Sequence, residues 1–315
     1  MFYARAAQDR YCDSHLPGLC GDRQASADDG HYRGDAENGV LVLKYVLALL
    51  LAVVLLFPLY WQFQGSLQDI QGIMRMPPAW VPAHPTLRNY EVLLKLIPVY
   101  RQATNSILVA TGVVSLSVLL GVSAGYAFAM YQFPGKHIAF WVLLISLMIP
   151  RMSLVIPIFM VVRMFRLINT LWGVVLPIAF SPVGILLFRN YMRSMPQALF
   201  DSARSDGASE WQILRFIVLP LTRAMIAFIV MSQSMAALGD FLFQNLVLQN
   251  PEKSTMIVGL ISAVYQQTSA PGAQRINPIG SGLAAGVLIF LPIFAIFCAG
   301  QRYFGKSIVY EGLRD

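Results

Sequence analysis

Charge is scarce in this chain. Asp, Glu, Lys and Arg together make up 12% of it, beside 57% hydrophobic residues, whereas soluble globular domains carry about a quarter charged residues and about half apolar ones. That shortage excludes an ordinary water-soluble domain and points to lipid as the solvent. Cysteine is nearly absent too: Cys12, Cys20 and Cys298 sit neither at metal-ligand spacing nor in an even framework, which excludes a zinc site and a structural disulfide. The four histidines, His15, His31, His84 and His137, are dispersed over the tail and loops and are not paired with acids in one element. HExxH is missing as well, so no catalytic residue and no metal ligand is assigned.

Long apolar runs, in contrast, are abundant. Crossing about 30 Å of hydrocarbon as a helix takes roughly 20 apolar residues, and six segments qualify: Val40–Phe63, Thr104–Met130, Ile138–Val162, Leu171–Phe188, Ala224–Leu248 and Pro278–Cys298. These lengths suit helices and not barrel strands of about ten residues. The expected fold class is therefore an all-α integral membrane protein with six transmembrane helices. The formal net charge of +7 is scattered between apolar runs and not gathered on one face, which argues against nucleic acid and for basic flanks at a membrane surface.

Residues 1–38 form a polar head, including "ASADDGHYRGDAENG", with too few apolar groups to bury a core, and are expected to be disordered. They lack the apolar middle of a secretory leader. Residues 39–305 then form the membrane domain and 306–315 a short tail. With the N-terminus inside, the inner segments hold 13 Lys and Arg against 8 in the outer ones, the sign expected for both ends in the cytoplasm.

Gly121 and Gly125, and Gly282 and Gly286, form G-x-x-x-G pairs that let backbones approach closely, either within one bundle or against a second subunit. Pro150, Pro157, Pro177 and Pro182 interrupt the third and fourth spans, and a broken helix survives in a membrane only where protein or a water cavity satisfies its freed carbonyls.

Between the fourth and fifth spans runs the polar segment "RNYMRSMPQALFDSARSDGASEWQILRFIVLPLTRAM", Arg189–Met225. It reads as two short helices around a glycine. Pro196 suits the first turn of one helix, with Ser194 ahead of it. Gly207 suits the left-handed residue that ends it, and Ser209 with Gln212 makes a capping box for the next. Trp211, Ile213, Leu214 and Phe216 are too many large apolar groups for a solvated loop and call for a partner surface.

The stretch Asp201, Ser202, Ala203, then Gly207, then Ile217, Leu219 and Pro220 resembles the E-A-A-x-x-x-G-x(9)-I-x-L-P loop of ABC import permeases, with aspartate in place of glutamate and serine in place of alanine. "LINTLWGVVLP" at Leu167–Pro177, "FPLY" at Phe57–Tyr60, "NSILVA" at Asn105–Ala110 and "QRYF" at Gln301–Phe304 are similar to the carbohydrate branch of that family, the relatives of the maltose and glycerol-phosphate permeases. Leu238, Gly239, Asp240 and Phe241 stand where those relatives often have W-N-D-F.

The resemblance implies a division of labour. A cytoplasmic ATPase dimer would bind ATP and Mg, and the loop residues Asp201, Ser202, Ala203, Asp206, Gly207, Ala208, Trp211, Ile217, Leu219 and Pro220 would couple to it. A second related permease and an extracytoplasmic solute-binding protein would complete a sugar importer in a bacterial inner membrane. The chain itself would hold no cofactor.

Ionisable residues within spans are functional candidates because burying them in lipid costs several kcal/mol. Arg151 follows Pro150, and Gln233, Ala237 and Asp240 share one helix face by their i, i+4, i+7 spacing. Arg151, Gln233 and Asp240 are thus candidates to line a substrate path, their planar hydrogen-bonding groups suiting sugar hydroxyls. Asp240 is the one acid within a span and no internal repeat is evident, which argues against an ion-coupled carrier working alone. The outer loop Gln64–Ala103 is long enough to meet a binding protein. GQRYFGKS at Gly300–Ser307 matches the phosphate-loop pattern, but a span before it and eight residues after it leave no room for a nucleotide fold.

Overall fold

The computed structural model describes the backbone of residues 17–269 and 277–311, with side chains over 40–267 and 277–301. Every regular element among the described residues is helical. The chain divides into two compact units, Met1–Trp61 and Gln62–Asp315.

Helix α1 runs Pro17–Ser66. Its segment Val40–Ser66 contains an 18-residue stretch of mean hydropathy 2.9, and Leu49, Val54 and Leu55 along it are exposed. Such a surface is tolerable in lipid and costly in water. Residues 1–16 of the polar head lie outside the described residues, and of 17–39 only the backbone is described.

The second unit contains the remaining helices. After a one-turn helix α2, Ile70–Met74, come α3, Arg88–Leu96, and the long span α4, Val99–Met130. Where the third span was expected stand two helices, α5 (Lys136–Met148) and α6 (Arg151–Met164), bent by 113°. Where the fourth was expected stand α7 (Leu171–Ala179) and α8 (Pro182–Arg193), bent by 42°. Of the four prolines expected to interrupt these spans, Pro150 and Pro182 stand at the breaks, while Pro157 and Pro177 lie inside helices. At Pro182 the break is capped: Ser181 accepts from Gly184 N at 3.2 Å and so favours a new helix start there, whereas the start at Pro150 has no side-chain cap. Ser117 of α4 donates to the carbonyl of Ala179 at 2.7 Å, which satisfies an acceptor left open at the α7–α8 break.

The polar segment contains α9 (Gln197–Ser205), α10 (Glu210–Ile213), a π-turn over Leu214–Val218 and the short α11 (Leu219–Leu221). Helix α12 follows over Arg223–Gly239, then α13 (Phe241–Val247), α14 (Met256–Ser269) and α15 (Pro278–Glu311). Two expectations need correcting here. The fifth span does not run unbroken from Ala224 to Leu248, because Gly239 favours termination and Asp240 caps a new helix, accepting from Phe243 N at 3.2 Å. The stretch between the fifth and sixth expected spans, where no helix was expected, contains the apolar helix α14, which packs Leu260 and Ala263 against Leu93, Ala284 and Ala285.

Both G-x-x-x-G pairs are spent within the chain. A Cβ on Gly125 would stand 2.6 Å from Phe188 Cβ and 3.1 Å from Arg189 N, so α4 and α8 approach backbone to backbone. At Gly286 the neighbour is Gln62. The backbone of GQRYFGKS lies wholly within α15, and a continuous helix cannot form the phosphate-cradling loop.

Candidate functional site

The loop between α8 and α12 is anchored from beneath. Phe200 of α9, Ile213 of α10 and Val218 of the π-turn are fully buried, and they pack with Val122 and Tyr126 of α4, Phe188 and Met192 of α8 and Ile229 of α12. Burying side chains of this size contributes roughly 1.5–3 kcal/mol each. The loop is therefore an extension of the bundle core and moves with the span ends that hold it.

Between α9 and α10 the chain turns at Gly207, with φ of +81°. The hydrogen bonds Ala208 N to Ala203 O and Gly207 N to Arg204 O, both 3.0 Å, close the end of α9. The capping box is present: Ser209 N donates to Gln212 Oε1 at 2.7 Å and Gln212 N to Ser209 Oγ at 3.4 Å. Pro196, expected in the first turn of α9, sits one residue earlier at its cap, and Ser194 donates back to Tyr191 O at 2.7 Å.

A polar lock that sequence reasoning missed ties the two short helices together. Glu210 accepts from Arg204 Nε at 3.0 Å and from the hydroxyl of Tyr126 at 2.5 Å. Arg204 also stands 3.6 Å from Asp201. The Arg204 guanidinium, then the Tyr126 hydroxyl, hold the Glu210 carboxyl down to about 2, so it stays ionised at any physiological pH. An acid at the first position of a capped helix was the available signal, but its partner on α4 is remote in sequence.

Pro220 explains the π-turn. It has no N–H to give and its ring clashes with a carbonyl one α-turn back. The wider turn, in which Leu219 N bonds Leu214 O, relieves both. Buried Thr222 then donates to Val218 O at 2.8 Å, and the axis swings 76° into α12. Ile217, Leu219 and Pro220 are half-buried in this joint.

Asp201, Ser202, Asp206, Gly207 and Trp211 face outward, and Ala203 and Ala208 are half-buried. Trp211 is 64% exposed and Phe216 68%. A helical knob with a small-residue turn thus presents exposed aromatics on its outward side.

The other candidate group lies at the α12–α13 junction. Arg151 Nη2 and Asp240 Oδ2 form an ion pair at 3.0 Å, the arginine largely exposed and the aspartate mostly buried. The Gln233–Ala237–Asp240 face turns into the bundle: Gln233 is 8% and Ala237 2% exposed. So the structure joins Arg151 to Asp240, while Gln233 is buried. Gln244, which sequence reasoning passed over, donates to Ala237 O and accepts from Thr255 Oγ1, both at 2.5 Å, bridging the end of α12 to the start of α14.

Asn169 of "LINT" has φ of +57° and accepts from Gln249 N at 2.7 Å and Asn250 N at 2.9 Å. From "NSILVA", Asn105 donates to the carbonyls of Glu252 and Ser254, and Ser106 accepts from Met256 N at 2.8 Å. These motif residues hold the segment around α13 and α14 in place.

Broken apolar helices, carrying between α8 and α12 a helical knob rooted in their core, are the frame to which a family of membrane transport components matches. The family model described as "Binding-protein-dependent transport system inner membrane component" matches residues 117–310, and the chain belongs to that family. It is 29% identical to the galactooligosaccharides transport system permease protein GanQ of Bacillus subtilis, over 87% of this chain and 95% of that protein. It is 29% identical to the arabinooligosaccharides transport system permease protein AraQ of Halalkalibacterium halodurans, over 87% and 97%. The sn-glycerol-3-phosphate transport system permease protein UgpE of Salmonella typhi is 24% identical over 86% and 97%. The fold is similar, at a TM-score of 0.71 and 20% identity over 84% of this chain and 95% of the other, to a chain in the crystal structure of a bacterial ABC transporter involved in the import of the acidic polysaccharide alginate.

Proposed function

We propose that this protein is the permease subunit of an ATP-driven sugar importer, crossing the membrane six times with both ends in the cytoplasm. The observation that carries the coupling role is the loop itself: Phe200, Ile213 and Val218 root it in the core, while Asp206, Gly207 and Trp211 face outward. A cytoplasmic ATPase dimer, holding ATP and Mg, docks on that outward face. Its closure pushes a knob that cannot bend independently, and the 76° joint at Thr222 passes the push to α12 as a swing.

A second related permease completes the path, and an extracytoplasmic binding protein delivers the solute. Arg151 and Asp240 are proposed to face that path, with Gln233 joining them when α12 moves. The oligosaccharide systems named for GanQ and AraQ support a sugar as cargo. The likeness to UgpE supports a sugar phosphate or polyol as the second reading.

The test is reconstitution of the full complex in proteoliposomes with labelled oligosaccharides, with and without the ATPase. Uptake should require the ATPase, ATP and the binding protein. Uptake by this chain alone would overturn the reading.

A further inference from the structure

At the α8 end nearest the coupling loop, the α4–α5 turn leaves a cavity of about 560 Å³ beside α8, lined by Gln132, Lys136, His137, Phe140, Arg189 and Arg193 among others. Its charged lining is cationic throughout. None of these three cations takes part in the ion pairs found among the described residues, which join Arg101 to Glu252, Arg151 to Asp240, and Arg204 to Asp201 and Glu210.

The protein's own groups satisfy this cluster only in part. Lys136 Nζ donates to Tyr131 O at 2.6 Å and Arg189 Nη1 to Asn190 Oδ1 at 3.0 Å. The Arg189 guanidinium lies over the Phe140 ring, 4.1 Å from its centroid. That stacking holds it toward the cavity, and its Nε is buried with no hydrogen-bond partner. A buried donor left unpaired beside two like charges is costly unless an anion supplies the acceptor.

Helix α5 indicates which anion. Starting two residues from Lys136, Ile138, Trp141, Val142 and Ile145 are all more than half exposed and recur at i, i+3, i+4, i+7, forming one apolar strip that leads away from the cationic cavity. A cationic pocket continuous with a lipid-facing strip matches a molecule with an anionic head and an acyl tail.

We propose that this pocket binds the phosphate of an anionic phospholipid, with the acyl chain along the exposed face of α5. The site lies outside the coupling surface and the Arg151–Asp240 group, and anchors the α4–α5 turn to the lipid headgroups.

The full chain, purified and delipidated in neutral detergent, is titrated with phosphatidylglycerol, phosphatidylcholine or inorganic phosphate and bound ligand is counted by native mass spectrometry. Phosphatidylglycerol should occupy one site more tightly than phosphatidylcholine. The Lys136→Gln, Arg193→Gln double variant should bind it about 30-fold more weakly, each lost cation costing about five-fold, while Arg101→Gln binds as the parent does. If the double variant does not fold, Arg193→Gln alone, altered at an exposed side chain, should show the five-fold loss. Equal binding of the two lipids, undiminished binding by the variants, or phosphate binding with no preference for phosphatidylglycerol would each overturn the proposal. This readout needs no transport, so its failure leaves the importer reading standing.

Discussion

The loop between α8 and α12 and the α12–α13 junction are both places where a helix stops and the chain turns over buried apolar packing, yet their polar ties differ. Beneath the loop, Phe200, Ile213 and Val218 interlock with the helix ends, and one lock, Glu210 with Arg204 and Tyr126, ties the turn to α4. At the junction the bridging is polar: Asp240 caps α13 and pairs with Arg151, and Gln244 spans from Ala237 to Thr255. Apolar interlocking is non-directional and dense, so it transmits a push. Polar bridges can be exchanged one for another, which would suit a segment facing a solute path. Under the proposed function, the loop serves as a lever and the junction as a latch.

That contrast can be broken most forcefully at Phe200. Its replacement by Ala should destabilise the protein by about 3–5 kcal/mol, read as a lowered thermal unfolding midpoint in detergent, and should abolish coupling. A small effect would mean that the loop is not part of the core. Gly207→Val comes next. No atom lies within 4 Å of the added Cβ, so the cost is backbone strain alone, about 1–2 kcal/mol for a left-handed residue. The expected result is ATPase activity without uptake in the reconstituted complex, and normal uptake would remove the loop from the mechanism.

At the latch the effects are smaller. Asp240→Asn keeps a capping oxygen and loses the charge, whereas Asp240→Ala loses both, so Ala should cost about 1 kcal/mol more than Asn. The Arg151 side chain is 56% exposed, and a double-mutant cycle with Asp240 should give a coupling energy below about 1 kcal/mol.

The smallest effect is that of pH on Glu210. Its carboxyl is depressed from 4.5 to about 2. A group depressed in the folded state stabilises above its unfolded value and loses that contribution as pH falls through the folded one. The lock should therefore be constant from pH 5 to 8 and fade only from about 4.5 down to about 2. Glu210→Gln should make the acid limb of a stability–pH profile shallower and leave the neutral region unchanged.

Where local chemistry decides, the sequence was readable. The first, second and sixth apolar runs, Gly207 and the Ser209–Gln212 box need only neighbours within a few residues, and the structure has each where the pattern puts it. What escaped depends on remote partners. Glu210 reaches Tyr126, Asn169 reaches Gln249, and Gln244 reaches Thr255 after the chain has turned. The break at Gly239 was hidden because an apolar run continues through Phe241–Leu248, and hydropathy does not register a capping aspartate. Helix α14 was missed for a related reason: the polar "QNPEKST" before it and its own polar end "QQTS" made the whole segment read as a loop, although Met256, Leu260 and Ala263 mark a packed face.

Site-directed cross-linking addresses the lever most directly. Asp206→Cys is placed on the outward face of the loop, in a chain whose native cysteines are replaced by serine, and the complex is treated with a short thiol reagent during ATP turnover. The account predicts a cross-link to the ATPase subunit whose yield changes between the ATP-bound and nucleotide-free states. A complex that transports actively while Asp206→Cys never cross-links to the ATPase would contradict it.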